Sequence, residues 1–200
     1  MRALILNCSL KKSPEPSNTQ RLADLVGTEL GRLSVDVRTI RLADHDIPPG
    51  VRTDLGDGDE WPRIHREILD SEILVFASPT WLGHPSSVAQ RALERMDAML
   101  SETDGEGRPV AYNRVAGVVV TGNEDGAHHV ISEISGALGD IGYTVPGQAW
   151  TYWNMGPGPG PDYSETEHGH DFSAKTGKSM AHNLFSVASA LRKVPIPAQS

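Results

Sequence analysis

The sequence predicts an α/β protein in which helices cover both faces of a five-stranded parallel sheet. Segments with strand-like and helix-like hydrophobic periodicity alternate five times along the chain. Near-continuous apolar runs at 72–79 and 114–121 are typical of parallel strands that are buried on both faces. No linker or shift in composition divides the 200 residues, so we expect a single domain over residues 1–200.

The first half of the chain supplies three of the predicted strands. An apolar start is followed by residues at helical spacing, among them Leu22, Val26 and Leu30. Apolar and polar residues then alternate, as in a more exposed strand. The predicted elements are a strand over 2–8, a helix over 18–33, a strand over 35–42, a helix over 61–69 and a strand over 72–79.

The second half continues the alternation and then becomes irregular. The predicted elements are a helix over 86–100, a strand over 114–121, a helix over 130–141, a strand over 143–152 and a closing helix over 173–192. Gly142 marks the end of the fourth helix. Prolines exclude a helix or a central strand within 154–172, so we expect a surface loop there, serving as a lid or a dimer arm.

Composition excludes several classes of function. The formal net charge of −8 would repel a nucleic acid backbone. No apolar run approaches the roughly 20 residues that a membrane span needs, and the N-terminus lacks the apolar core of an export signal. The single cysteine, Cys8, has no disulfide partner in the chain and is expected to be a small buried residue. We therefore expect a cytoplasmic protein that binds neither nucleic acid nor membrane.

The loop after the first strand is rich in hydrogen-bond donors. Ligands of open parallel sheets bind beyond the carboxyl ends of the strands, where the strand order reverses. The donors here, together with the N–H groups of the next helix, suit a phosphate monoester. They are Ser9, Lys11, Ser17, Asn18 and Thr19. The alternative is a capped helix start, with Ser17 or Asn18 as the N-cap and the prolines as turn residues.

The loop after the third strand suits a flat heteroaromatic ring. A ring can lie against Trp81 and accept hydrogen bonds from nearby backbone N–H groups. The segment is Pro79, Thr80, Trp81, Leu82 and Gly83. Alternatively, Trp81 only covers the edge of the sheet and Pro85 only begins the next helix.

The loop after the fourth strand contains two glycines. Gly122 and Gly126 allow close approach of a ligand to the backbone, with Thr121 and Asn123 beside them. The same residues equally suit a tight turn from strand to helix. Each of the three loops has a structural alternative, but together they occupy the strand ends at which a ligand is expected.

These residues resemble the flavodoxin-like NAD(P)H-dependent FMN reductases and their quinone-reductase relatives. Ser9, Ser17, Asn18 and Thr19 match a family pattern of a serine, a short insert and Ser/Gly-Asn-Thr that grips the FMN phosphate. Residues 78–97 are similar to the family segment that runs under the isoalloxazine, and 118–147 resemble its fourth strand, flavin-side loop and following helix. The resemblance covers residues 1–152.

The resemblance implies strand order 2-1-3-4-5, bound FMN, and NADPH or NADH as the reductant. The expected reaction passes a hydride through FMN to a small acceptor such as a quinone or a free flavin, with no catalytic residue because FMN carries the chemistry. It also implies a homodimer or homotetramer. His84 and Trp153 are predicted to border the substrate side.

Two other functions stay open at this point. One is a flavodoxin-type electron carrier or flavin-binding module that a protein partner reduces, which the acidic charge would suit. The other is a related domain that binds a different phosphorylated molecule. We expect no metal: the candidates Glu167, His168, His170 and Asp171 lie in a polar loop, where histidines usually face solvent. The Walker-like run at 174–180 lacks the required glycine and strand.

Overall fold

The computed structural model describes residues 1–158 and 160–198. Position 159 of the predicted 154–172 loop lies outside the described residues. The strands are β1 (Arg2–Asn7), β2 (Asp36–Arg41), β3 (Ile73–Trp81), β4 (His84–Pro85), β5 (Val115–Gly122) and β6 (Trp150–Asn154). The α-helices are α1 (Asn18–Arg32), α2 (Trp61–Leu69), α3 (Ser87–Met96), α4 (Ala127–Ile141) and α5 (His170–Lys193).

Five strands form a parallel sheet in the order β2-β1-β3-β5-β6. Counted without the two-residue β4, this is the predicted order 2-1-3-4-5, and the flavodoxin-like fold is confirmed. The strand β4 was not predicted; it pairs antiparallel with the end of β3 through a two-residue turn at Leu82 and Gly83. Both turn residues have positive φ, at 51° and 78°, the pattern of a tight hairpin turn.

The alternation of side chains along each strand builds a core on both faces of the sheet. Leu6 and Phe76 point to the face covered by α2, α3 and α4, whereas Ile5 and Val75 point to the face covered by α1 and α5. Full burial of each such side chain contributes about 1.5–3 kcal/mol. Cys8 is also buried, and burial raises the pKa of its thiol, as expected for a packing residue.

The bounds of several predicted elements are corrected. The strand predicted at 143–152 begins only at Trp150, because Pro146 and Gly147 interrupt the preceding segment. Helix α3 ends at Met96 and continues as a short 3-10 helix, Asp97–Ser101. Helix α4 begins three residues earlier than predicted, and α5 begins inside the predicted 154–172 loop. That loop also contains a 3-10 turn, Tyr163–Glu165.

A buried ion pair holds the long connection between β2 and α2. Arg95 Nη2 lies 2.6 Å from Asp59 Oδ2, with both side chains at most 1% exposed. The guanidinium also donates to three backbone carbonyls, those of Pro48, Arg52 and Thr53. One buried side chain of α3 therefore anchors a loop that has little secondary structure of its own.

None of the helices in the described ranges has the length and apolar character needed to cross a membrane.

Candidate functional site

A cleft lies at the carboxyl ends of β1, β3 and β5, where the three predicted loops meet. Parallel pairing aligns these strand ends, as the pairs Asn7 with Ala77 and Pro79 with Thr121 show. The residues that line the cleft are Ser9, Leu10, Lys11, Ser17, Asn18, Thr19, Pro79, Thr80, Trp81, Thr121, Gly122, Asn123, Trp153, Asp162 and Tyr163. The structure thus brings together residues that lie more than 150 positions apart in the chain.

Most of the residues predicted to bind the cofactor line this cleft, but four predicted site residues do not. Leu82, Gly83 and His84 belong to the β3–β4 hairpin, and Gly126 precedes α4. The exposed fraction of Leu82 is 89%, so its side chain projects into solvent at the tip of the hairpin. Gly126 instead supports the hairpin, since a Cβ there would lie 2.8 Å from the Cα of Gly83.

Asn7 organises the first loop from beneath. It is the last residue of β1 and is fully buried. Its Nδ2 donates to Gln20 Oε1 at 2.8 Å, and its Oδ1 accepts the N–H of Ser9 at 3.0 Å. A single amide, which has both donor and acceptor, therefore joins strand, loop and helix. Asn7 was not among the residues predicted from sequence, although a polar residue at the end of an apolar strand was the available signal.

The start of α1 presents unused donors to the cleft. Ser17 is the N-cap, because its Oγ accepts the N–H of Gln20 at 3.1 Å, which confirms one of the two caps considered from sequence. The N–H groups of Asn18 and Thr19 belong to the first turn, in which a helix cannot satisfy its own donors. The positive end of the helix dipole lies there as well. This end of the cleft can therefore bind an anion such as a phosphate monoester.

The outer half of the first loop is held away from the cleft. The backbone N–H and the hydroxyl of Ser13 each donate to the Asp44 carboxylate at 2.7 Å. The Ser13 backbone N–H is the largest cause of a lowered pKa of Asp44. Arg41 also donates to the carbonyl of Glu15 at 2.7 Å. The proline-containing insert is thus fixed to the end of β2, and the inner residues of the loop face the cleft.

Thr80 places an unsatisfied hydroxyl in the cleft wall. The residue is 4% exposed, and its Oγ1 has no hydrogen-bond partner within the described part of the chain. Gly122 packs directly against it, since a Cβ at Gly122 would lie 2.9 Å from the Thr80 Cβ. A buried hydroxyl without a partner costs about 1–3 kcal/mol. A ligand that reached this hydroxyl would supply the missing partner.

Two further contacts connect the loops and shape the cleft mouth. The hydroxyls of Thr19 and Thr121 are 2.8 Å apart and buried, so they join the start of α1 to the end of β5. Trp81, at the end of β3, keeps 54% of its surface exposed while lining the cleft. The cleft therefore combines buried threonine hydroxyls at its base with the accessible aromatic surface of Trp81 at its mouth.

The segment after β6 forms part of the cleft wall; it was expected to be a lid or a dimer arm, but none of its residues was predicted as a site residue. Asp162 and Tyr163 line the cleft, as does Leu10 of the first loop. The Tyr163 ring stacks on His170, with centroids 4.1 Å apart, and meets Trp153 edge-on. Burial, followed by the charge of Glu167, raises the pKa of the Tyr163 hydroxyl. The signal was one aromatic residue inside a segment dominated by glycine and proline.

Trp153, predicted to border the substrate side, is only 3% exposed. Its Nε1 donates to the carbonyl of His168 at 2.6 Å. This bond ties β6 to the loop that precedes α5. Within the cleft, Trp153 lines the wall and also packs edge-on against Tyr163.

Relatives with curated names share the sequence over nearly the whole chain. The 8-demethyl-8-aminoriboflavin-5'-phosphate synthase of Streptomyces davaonensis is 36% identical over 207 residues, covering 98% of this chain and 80% of that protein. The divalent metal cation transporter MntH of Mycobacterium bovis is 39% identical over 199 residues. That match covers 96% of this chain but only 29% of the transporter's length.

Solved structures agree with the fold and with the sequence relatives. A crystal structure of RosB with the bound intermediate 8-demethyl-8-formylriboflavin-5'-phosphate superposes with a TM-score of 0.90 and 36% identity, covering 98% of this chain and 82% of RosB. An NADH:FMN oxidoreductase matches 99% of this chain and 94% of its own with a TM-score of 0.61. Its identity is 14%, so it shows the fold alone.

The family described as NADPH-dependent FMN reductase matches residues 1–156, which include every strand of the sheet and all three predicted loops. The chain is accordingly a flavin-related oxidoreductase, with FMN as its cofactor and NAD(P)H as its reductant. From its sequence, its fold and this match, the chain belongs to the NADPH-dependent FMN reductase family.

Proposed function

We propose that this chain passes a hydride from NAD(P)H, through FMN bound in the cleft, to a small acceptor such as a quinone or a free flavin. The observation that carries the proposal is the convergence of the three loops. The cleft has anion donors at the start of α1 and an aromatic and glycine-lined wall at the ends of β3 and β5. This arrangement suits a ligand with a phosphate at one end and a flat ring at the other.

The first loop is proposed to hold the phosphate. The N–H groups of Asn18 and Thr19 point from the first turn of α1, and Ser9 and Lys11 line the same part of the cleft. Asn7 and the Ser17 cap fix the backbone in this arrangement before any ligand binds. Because little reorganisation is needed, more of the interaction energy contributes to affinity.

The ends of β3 and β5 are proposed to hold the ring. Pro79, Thr80 and Trp81 lie at the end of β3, and Gly122 and Asn123 lie beside them at the end of the adjacent strand β5. The unsatisfied Thr80 hydroxyl fits a ring that carries hydrogen-bonding atoms at its edge. The close packing of Gly122 on Thr80 leaves that part of the wall without a projecting side chain.

The residues of the chain bind FMN, orient it and shield it from water, and we assign none of them as a catalytic acid or base. When bound, FMN supplies the hydride-transfer chemistry. Trp81 gives the nicotinamide or the acceptor an accessible aromatic surface at the mouth. Tyr163 and Asp162 also line the cleft and so limit the size of the acceptor.

A homodimer or homotetramer forms part of this proposal. Leu10, Trp81 and Leu82 are 48%, 54% and 89% exposed beside the cleft. A second copy that covered these side chains would remove apolar surface from water and shield the cleft. Light scattering after size-exclusion chromatography checks this, and a strictly monomeric chain would contradict it.

A second candidate function is the chemical conversion of a riboflavin phosphate that serves as the substrate. It is favoured by RosB, whose TM-score of 0.90 and identity of 36% far exceed those of the oxidoreductase and flavodoxin structures at 14%. In this case the same cleft would hold the flavin that is altered, and the ring wall would determine which ring substituents are accepted.

An anaerobic experiment, with a parallel incubation of the chain and FMN in air, separates these functions. The purified chain is mixed with FMN, then with NADPH or NADH, and the visible spectrum is followed before the flavin is extracted for mass spectrometry. Bleaching with unchanged FMN mass supports the reductase proposal, and turnover with a quinone or free flavin completes it. A flavin of altered mass in the aerobic incubation supports conversion of the flavin, because replacing a ring methyl group with the formyl group of the RosB intermediate is an oxidation and needs an oxidant. FMN that stays oxidised with both nucleotides contradicts the reductase and points to a carrier reduced by a protein partner.

A further inference from the structure

Three metal-ligating side chains meet outside the cleft, where the β3–β4 hairpin contacts α4. His84 comes from β4, and His129 and Glu133 come from α4. Glu133 Oε1 lies 3.4 Å from His84 Nδ1 and 3.1 Å from His129 Nε2. The three ligand atoms all lie within 4.8 Å of one another. Two separate elements therefore bring two imidazoles and one carboxylate to one point.

The backbone brings the two elements together, and the three side chains are 39–63% exposed at the surface. His129 and Glu133 are four residues apart, so they project from the same face of the helix. The hairpin that carries His84 is pressed against the start of α4 by the glycine contact between Gly83 and Gly126. The two imidazole rings meet edge-on, with centroids 4.9 Å apart.

The neighbouring His128 occupies a different environment. Its ring packs 5.5 Å from Trp150 and 5.0 Å from Tyr152, measured between centroids. Of the two consecutive histidines, only His129 joins the cluster. The two adjacent histidines therefore have different surroundings: His128 packs on aromatic rings, whereas His129 contacts Glu133 and His84.

The distances suit a tetrahedral transition-metal ion. Zinc bound to nitrogen and oxygen at about 2.0–2.2 Å has neighbouring ligand atoms roughly 3.4 Å apart. The distances of 3.4 Å and 3.1 Å to Glu133 Oε1 are close to this spacing. We propose that His84, His129 and Glu133 bind a divalent transition-metal ion such as Zn²⁺, with water at the remaining position. The sequence-based expectation of no metal considered only residues 167–171 and missed this cluster.

An ion at this site would act as a clip between two elements. It would join the hairpin to α4 through side chains, in addition to the glycine contact. The same hairpin begins at Trp81, which lines the cleft, so the clip would restrain one edge of the cleft mouth. The inference rests on the cluster alone and does not depend on the proposed flavin chemistry.

Calorimetric titration of the tag-free, EDTA-stripped protein with Zn²⁺ at neutral pH tests the site. We expect one ion per chain, and an affinity weakened by about tenfold or more in each of H84A, H129A and E133Q. His182→Ala, which removes an exposed histidine of α5, should bind Zn²⁺ as the unchanged protein does. Zn²⁺ should also raise the melting temperature of the unchanged protein but not of H84A.

The H84A variant decides whether the hairpin takes part. If H84A binds Zn²⁺ with full affinity, the ion is held by α4 alone, and the proposed link between the hairpin and α4 is wrong. Absence of saturable binding of one ion to the unchanged protein also overturns the proposal. Melting curves in EDTA verify that each variant is folded, and E133Q keeps the size of the side chain it replaces.

Discussion

The Thr80 hydroxyl illustrates how one residue can favour ligand binding over apoprotein stability. Buried and unpartnered within the described residues, it stands where the cleft wall approaches the end of β5. A ligand that hydrogen-bonds to it removes a cost already present in the unliganded chain. Stability and affinity should therefore respond to this residue in opposite directions.

Thr80→Val tests this opposition because it replaces the hydroxyl with a methyl group of similar size. We expect the apoprotein to unfold with equal or greater free energy, and FMN to bind about fivefold to tenfold more weakly, as for one lost hydrogen bond. Urea denaturation and FMN fluorescence titration measure the two effects. Thr151→Val is the matched control: its hydroxyl donates to the carbonyl of Ser173, so its loss should reduce stability and leave FMN affinity unchanged.

Asn7→Asp tests whether the buried amide prepares the phosphate end of the cleft. The change removes the donor to Gln20 Oε1 and introduces a negative charge below the first loop. We expect FMN affinity to fall by about tenfold or more, equivalent to roughly 1.4 kcal/mol. Asn183→Asp provides the comparison, since Asn183 donates to Gly147 far from the cleft. Equal affinities of the two variants for FMN would argue against the role of Asn7.

At the scale of elements, the contact between the hairpin and α4 depends on the absence of side chains. Gly126 has φ of 106° and lies so close to Gly83 that an added Cβ would be 2.8 Å from its Cα. Both the conformation and the distance therefore require glycine. This contact positions the hairpin beside the cleft.

Gly126→Ala should lower the free energy of unfolding by more than about 1 kcal/mol, because backbone strain adds to the clash. FMN affinity should fall as well, since the hairpin must shift. Gly136→Ala in the same helix has the opposite expectation: a Cβ there meets nothing within 4 Å, and alanine should stabilise the helix by about 0.5–1 kcal/mol. Chemical denaturation of both variants measures the two changes in the free energy of unfolding. Changes of the same sign would refute the proposed role of Gly126.

At the scale of the whole molecule, acid stability depends on the buried pair of Arg95 and Asp59. Burial raises the pKa of Asp59, but hydrogen bonds from Arg95, Trp61 and Leu55 outweigh this and hold the pKa below its usual range. Such a carboxylate stabilises the fold above its unfolded pKa, about 3.9. The contribution is lost as the pH falls through the lower folded pKa.

The free energy of unfolding should therefore decline as the pH falls below about 4, and less steeply in Asp59→Asn. At neutral pH the same variant should be less stable by about 3–5 kcal/mol, because Arg95 stays buried without its counter-charge. Asp104→Asn, which removes the partner of Arg108 in a partly exposed pair, should change stability little. Denaturation at several pH values measures the stability of the unchanged protein and of both variants. Parallel pH profiles of the unchanged protein and D59N would disprove the assignment of acid-dependent stability to Asp59.

Local pattern predicted the sheet because β1, β3 and β5 are apolar runs bounded by turn residues and β2 alternates apolar with polar residues. The three loops were also predicted, because each one comes directly after the end of a predicted strand in the sequence. What escaped prediction depends on tertiary contact: the β3–β4 hairpin uses Leu82 at positive φ, which its residue type disfavours. Likewise, Asp162 and Tyr163 reach the cleft only because Trp153 and His170 fold their segment back.

The position of Tyr163 has a consequence for diversification within the family. The family match ends at residue 156, whereas Asp162 and Tyr163 complete the cleft from beyond that boundary. In the proposed function, the contacts to FMN come from residues 1–156, whereas Asp162 and Tyr163 add contacts to the acceptor from beyond that boundary. We expect grafts of other sequences between 157 and 169 to redirect acceptor preference while FMN affinity is retained, which makes this segment a natural position at which new specificities can arise.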